Sequence, residues 1–190
     1  MVNTQGDSEI DDEQLVAEIV ATNNTHLFAI LYDRYSEIIY NKCLSFTHEA
    51  EEAQDLTHDI FINLFLKLKT YKGKSKFSTW LYSFTYNFCV NYVQRSLNKR
   101  QDKFVQTEEL PGESHEYQEI LDENIYQLKS KKLEKALKKI EANDKMILLM
   151  RYQDDFSIKE IQEVLDLGSS AVKMRLNRAK GRLIEIYNTL

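Results

Sequence analysis

At 190 residues, 43% hydrophobic and 29% charged with a formal net charge of -5, the chain can form one or two domains that each bury a modest core. Its two cysteines, Cys43 and Cys89, form no CxxC pair and sit in apolar surroundings, so they are expected as reduced core residues. No apolar run approaches a membrane span, and residues 1 to 13 are polar and acidic, unlike a signal peptide, which predicts a cytoplasmic protein with no membrane insertion of its own.

Pro111 is the only proline, and every periodic segment repeats its apolar residues at helical spacing, so an all-α protein is predicted. A first helix over residues 12 to 22 carries Leu15, Val16, Ile19 and Val20 on one side. A second, over 26 to 45, repeats Leu27, Ile30, Leu31, Tyr35, Ile38, Ile39 and Leu44. The third starts near His48, runs to about Tyr71 and turns Ala53, Leu56, Ile60, Leu64 and Leu68 inward. A fourth begins at Ser78 or Thr79, ends near Asn98 and is rich in aromatic residues. The four are predicted to pack as one bundle covering residues 12 to 100.

Charge is segregated along this bundle. Residues 1 to 66 hold only Arg34 and Lys42 as cations among many carboxylates, whereas 67 to 103 hold Lys67, Lys69, Lys72, Lys74, Lys76, Arg95, Lys99, Arg100 and Lys103 against Asp102 alone. Such a chain is expected to meet a polyanion at its basic parts and a basic or mixed protein surface at its acidic ones.

Between the third and fourth helices, Tyr71-Lys72-Gly73-Lys74-Ser75-Lys76-Phe77-Ser78-Thr79-Trp80-Leu81-Tyr82 interleaves cations with rings. Lysines on a Gly-containing loop suit phosphates. Exposed rings suit unpaired bases, where stacking is worth about 1–3 kcal/mol per base. Asn87 and Asn91 could hydrogen-bond a base edge. The alternative is that Trp80, Leu81, Phe84 and Phe88 are simply bundle core.

From residue 101 to 130 periodicity weakens, and the stretch from Glu108 to Glu123, punctuated by Pro111-Gly112, has no Lys or Arg. It is expected to be a flexible acidic linker; about 27 residues of coil span roughly 30 Å on average and at most about 90 Å, more than two duplex turns of about 34 Å. Helices resume near Lys131 with Leu133, Leu137 and Ile140, then Met146, Ile147, Leu149 and Met150, opening a second domain over 131 to 190.

The end of that domain reads as a helix-turn-helix. Ser157-Ile158-Lys159-Glu160 is a capping box. Ile158, Ile161, Val164 and Leu165 follow at helical spacing, Leu167-Gly168 offers a turn in which Gly can take positive φ, and Ser169 can cap the next helix. That helix turns Val172, Leu176, Ala179, Leu183 and Ile186 inward. Ser170, Met174, Asn177 and Arg178 lie opposite, with Lys173, Arg175, Lys180 and Arg182 on the flanks. The crest suits a major groove, its flanking cations meeting phosphates while Asn177 and Arg178 reach base edges. The plainer alternative is an amphipathic hairpin with a solvated cationic face.

Taken together, Asp55-Leu56-Thr57-His58-Asp59-Ile60-Phe61, then Phe77-Ser78-Thr79-Trp80-Leu81-Tyr82, then the acidic linker, then Ser157-Ile158-Lys159-Glu160-Ile161 with Ala171-Val172-Lys173-Met174-Arg175-Leu176-Asn177-Arg178-Ala179-Lys180, resemble the extracytoplasmic-function sigma factors of bacterial RNA polymerase. The likeness covers residues 20 to 190 in order and spacing. It implies a bundle of the region 2 type joined to a helix-turn-helix of the region 4 type, with core RNA polymerase and promoter DNA as partners, an anti-sigma factor as antagonist, and no enzymatic activity, cofactor or metal. Asp55, His58 and Asp59 would dock the polymerase. Lys72, Lys74, Ser75, Lys76, Phe77, Trp80 and Asn87 would hold an extruded base of the -10 element. Ser169, Ser170, Lys173, Met174, Arg175, Asn177 and Arg178 would read the -35 element. Ser83, where family members often carry Arg, and the crest residues Met174 and Asn177 depart from the pattern, so promoter sequence does not carry over.

Three rivals leave features unused. An ordinary helix-turn-helix regulator has no need of the basic-aromatic loop. A metal-dependent phosphohydrolase, read from the dyad His58-Asp59, lacks further ligands, since His26, His48 and His115 form no set. A sigma-sequestering antagonist has no use for the cationic crest.

Overall fold

A computed structural model describes residues 10–47, 49–101, 120, 122–126 and 128–190. Those residues form helices joined by short non-helical segments, with no strand among them, and the chain divides into two compact units, residues 1–89 and 90–190.

The first unit opens with α1 (Asp12–Thr22). Asp11 caps it by accepting the Gln14 N–H at 2.7 Å, and Asn23 ends it in the left-handed region at φ 51°, where a short polar side chain is tolerated. Next come α2 (Thr25–Thr47), α3 (Ala50–Lys67) and a 3-10 turn, Leu68–Thr70, before α4 (Phe77–Gln101). Most of the apolar stripes read from spacing are buried: Leu15, Val16 and Ile19 of α1, Leu31, Tyr35 and Ile39 of α2, and Ala53, Leu56, Ile60 and Leu64 of α3, whereas Val20 and Ile38, expected with them, are 39% and 40% exposed and Leu27, Ile30 and Leu44 are half-buried at the edges of the stripe. Cys43 and Cys89 are free, fully buried thiols with their sulfurs 3.9 Å apart.

One core position defies the pattern. Lys42 is 2% exposed, its ammonium 4.3 Å and 4.8 Å from the ring centres of Tyr82 and Tyr86 and donating to the Tyr86 hydroxyl at 3.0 Å. Aromatic faces and a hydroxyl replace the water such a charge loses, and they lock α2 to α4.

The second unit contains α5 (Asp122–Tyr126), α6 (Ser130–Lys139), α7 (Ala142–Tyr152), α8 (Ile158–Leu165) and α9 (Ser169–Thr189). Residues Met146, Ile147, Leu148 and Met150 make α7 apolar nearly all round, as befits a central helix against which α8 and α9 pack. Most of the expected linker, residues 102–119, lies outside the described residues. Its last part departs from the expectation of coil: α5 is helical, Ile125 is 7% exposed, and Asp122 accepts from the Tyr152 hydroxyl at 2.6 Å and from Lys180 Nζ at 3.1 Å. An apolar anchor and an ionic one attach this stretch to α7 and α9.

The helix-turn-helix forms with one reassignment. The capping box is present, Ser157 Oγ accepting the Glu160 N–H at 3.2 Å and Glu160 Oε2 accepting the Ser157 N–H at 2.9 Å. The left-handed residue of the turn, however, is Asp166 at φ 52°, followed by Leu167, whose N–H donates to the Gln162 carbonyl at 3.1 Å. Gly168 sits at φ -70° and ψ 157° and is itself the cap of α9, and Ser169 is the first helical residue rather than the cap. Asp tolerates the left-handed well, and Gly ranks among the accepted cap residues, so the two exchange the roles expected from their usual preferences.

Candidate nucleic-acid interface

In the first unit the chain leaves the 3-10 turn at Tyr71 and enters α4 at Phe77. Lys72, Lys74 and Lys76 are exposed, Gly73 takes φ +67°, and the Tyr71 hydroxyl donates to the Ser75 carbonyl at 2.7 Å, closing the loop on itself. Burial, then the charges of Glu13 and Asp12, push the Tyr71 phenol above its ordinary range, so it remains a donor at neutral pH.

Phe77 was expected to face a base and does not. It is fully buried, with the rings of Tyr71 and Tyr35 edge-on at 5.4 Å and 5.9 Å, so it anchors the loop from below. The core alternative holds for Leu81, which is fully buried, but only half holds for its neighbours. Trp80, Phe84 and Phe88 are half-buried and form a row along α4, stacked at 5.8 Å with 19° between planes for the first pair and 6.0 Å apart for the second. Asn87 and Asn91, on the same helical face, are exposed. Ring faces and the Asn87 amide therefore share one face of α4, and its first ring, Trp80, lies 5.5 Å from the Tyr71 ring where the lysine loop begins.

Asp55, His58 and Asp59 are exposed on the outer side of α3, as expected. Sequence spacing missed what continues that stripe toward the C-terminus. Ile62 and Leu66 are 61% and 64% exposed, and with Phe28, Tyr32, Phe65 and His58 they line an open apolar groove of about 440 Å³. Among the described residues no group of His, Cys, Asp and Glu could hold a metal ion.

On α9 the crest is mostly as predicted. Ser169, Ser170, Lys173, Met174 and Arg178 are exposed, Arg175 is half-buried, and Met174 is an uncovered apolar side chain at 56% exposure. An apolar tip among donors suits a thymine methyl. Arg175 and Arg178 with Met174 also border a polar cleft of about 450 Å³ facing Glu141 and Asn143 at the start of α7.

Three assignments on α9 change. Lys180, expected on a phosphate-facing flank, is 6% exposed and donates to the Ile120 carbonyl and to Asp122. Arg182 donates to Asp144 at 2.5 Å, a carboxylate itself 5% exposed. Asn177 is half-buried and its Oδ1 accepts the Ile120 N–H at 2.9 Å. At one hundred degrees per residue these residues lie between the apolar stripe and the crest, where neighbouring segments reach them. Burial alone would raise the Asp122 carboxyl, but the Tyr152 and Lys180 hydrogen bonds and the charges of Lys180 and Arg151 outweigh it and hold it below the ordinary range.

Comparison with known proteins agrees with this geometry. The family described as Sigma-70 region 2 matches residues 31–99, and that described as Sigma-70, region 4 matches residues 130–183. RNA polymerase sigma factor YlaC of Bacillus subtilis is 28% identical over 151 residues, 79% of this chain and 86% of that protein. The sigma factor SigW of the same organism is 25% identical over 164 residues, 82% and 86% of the two chains. Among solved structures, the sigma factor RpoE of Bartonella quintana, in complex with the anti-sigma factor NepR, shares the fold with a TM-score of 0.59 at 19% identity, covering 84% of this chain and 95% of that one. With both conserved regions matched in order and extracytoplasmic-function sigma factors among its relatives, the chain belongs to the sigma-70 family, in its extracytoplasmic-function branch.

Proposed function

We propose a division of labour within an RNA polymerase sigma factor of the extracytoplasmic-function type, which binds core polymerase, directs it to promoters and promotes strand opening. The exposed α3 stripe of Asp55, His58 and Asp59 docks the polymerase. The 72–76 loop, with Trp80 and Asn87 beyond it, takes a base of the -10 element that has left the duplex. Ser169, Ser170, Lys173, Met174, Arg175 and Arg178 read the -35 element, with Asn177 joining them wherever its bond to Ile120 is exchanged for a base. In this division the first module spans residues 12 to 100 and the second 131 to 190, with residues 101 to 130 as the tether between them.

The observation that carries this reading is the half-buried Trp80, Phe84 and Phe88 row beside an exposed lysine loop. A fully packed core would hide those rings. Such a surface binds an unpaired strand better than a duplex, and that difference shifts the melting equilibrium. Opening a pair costs a few kcal/mol, comparable with one or two stacking contacts of about 1–3 kcal/mol each. The chain performs no bond chemistry and works in the cytoplasm, where its polymerase is. An anti-sigma factor, such as the NepR found in complex with the similar sigma factor RpoE, is the natural antagonist.

Run-off transcription with purified core polymerase over a genomic promoter library tests the reading. Start-site-specific transcripts dependent on this chain are the expected result, and their absence from every template refutes it. Asp55→Lys separates docking from DNA binding: it should weaken competition for core polymerase while leaving the helical content unchanged.

A further inference from the structure

The residue at the start of α4 brings no side-chain acceptor to the first N–H groups of the helix. The first N–H groups of a helix need acceptors, and the residue just before Phe77 is Lys76, whose side chain has none and whose charge opposes the positive helix end. The acceptor comes instead from α1: Phe77 N–H donates to Glu13 Oε1 at 2.9 Å, across 64 positions of chain. A second link from α1 runs to the same ring. Asp12 accepts the Tyr35 hydroxyl and pairs with Arg34 at 2.7 Å, and the Tyr35 ring meets Phe77 edge-on at 5.9 Å.

We propose that Glu13 is a positioning residue for strand opening: its carboxylate fixes the first turn of α4 and thereby the cationic 72–76 loop that holds the extruded base. The inference rests on the base-holding reading of that loop. It brings α1, which lies outside the matched region 2 segment of residues 31–99, into the strand-separating device. The reason for a positional role is the loop's construction. Between Tyr71 and Phe77 its lysines are exposed and Gly73 takes a left-handed conformation, so the lysines are placed by the two ring-packed ends, 5.4 Å apart. Releasing the Phe77 N–H frees one end. Frayed helix starts sample several conformations, and contacts with a flipped base require one.

The test uses holoenzyme assembled with full-length chain, on a duplex promoter and on copies in which each base of the -10 element is made abasic in turn. Permanganate reactivity of start-site thymines reports opening. Glu13→Ala should lower opening about fivefold on the intact promoter, the loss typical of a missing helix cap, without changing affinity for core polymerase. Glu13→Gln, which keeps the acceptor, should recover most of that loss. On the one abasic copy lacking the held base, Glu13→Ala and wild type should converge, because the interaction being positioned is already gone. An equal loss on every abasic copy, or in Glu13→Gln together with a lowered melting temperature, would make Glu13 merely structural and overturn the proposal. A combined Lys72→Ala, Lys74→Ala and Lys76→Ala variant checks the underlying reading. If it shows the base-dependent loss and Glu13→Ala does not, the positioning role alone is wrong; if it shows none, the base-holding loop is wrong and the proposal falls with it.

Discussion

The salt dependence of -35 binding follows from which cations of α9 are already engaged. The helix carries five: Lys173, Arg175, Arg178, Lys180 and Arg182. Two are neutralised inside the molecule, Lys180 by Asp122 at 3.1 Å and Arg182 by Asp144 at 2.5 Å. Of the other three, Arg178 is placed on a base edge, so Lys173 and Arg175 remain for phosphates. At about 0.9 units of log-log slope per neutralised phosphate, α9 contributes about 1.8 rather than the 3.6 or so that counting its four flanking cations in the sequence would give. Lys173→Ala should therefore flatten the slope by about 0.9, while Lys180→Met, which keeps the buried stem, should leave it unchanged. Fluorescence anisotropy of holoenzyme on a labelled duplex carrying only the -35 element, across a potassium chloride series, measures this. Subtracting the wild-type slope cancels the polymerase's own contribution. If Lys180→Met flattens the slope as much as Lys173→Ala, Lys180 meets phosphate and the internal pairing is not what the complex uses.

Two further outcomes are expected. Because the folded Asp122 carboxyl lies below its ordinary range, the stability it contributes is present above the unfolded value of about 3.9 and is lost as pH falls through the lower folded value; Asp122→Ala should reduce hydrogen-exchange protection of α9 at pH 7, and its difference from wild type should shrink as the pH falls below the unfolded value. Its carboxylate is partly exposed, so the loss at neutral pH should be about 1 kcal/mol. Gly168→Ala should change stability by no more than about 0.5 kcal/mol, since φ is -70° and an added Cβ meets nothing within 4 Å, whereas Gly73→Ala at φ +67° should cost about 1 kcal/mol; chemical denaturation distinguishes them.

Helix number and limits were largely readable because their signals are local: apolar spacing on α1 to α3, the Ser157 to Glu160 box, and the polar crest of α9. What escaped was contact between distant segments. Nothing near Phe77 announces that Glu13 caps it, and nothing near Asn177 or Lys180 announces Ile120 and Asp122, because both pairings close over more than fifty positions. The turn before α9 misled for a different reason. Gly is the usual left-handed residue, yet Asp166 occupies that well two positions earlier and leaves Gly168 to serve as a cap. Rings were ambiguous in principle, since Phe77 and Trp80 have equal apolar appeal and only the depth of the bundle separates an anchor from a half-open face.

The adjacent thiols of Cys43 and Cys89 equip the N-terminal bundle with a clock. Neither has any solvent exposure, so an alkylating reagent reaches them only in conformations where α2 and α4 have parted. When closing outruns alkylation, the modification rate relative to a free thiol equals the fraction of time spent open. The interior of the bundle thus reports its own breathing through its native thiols, with no substitution introduced.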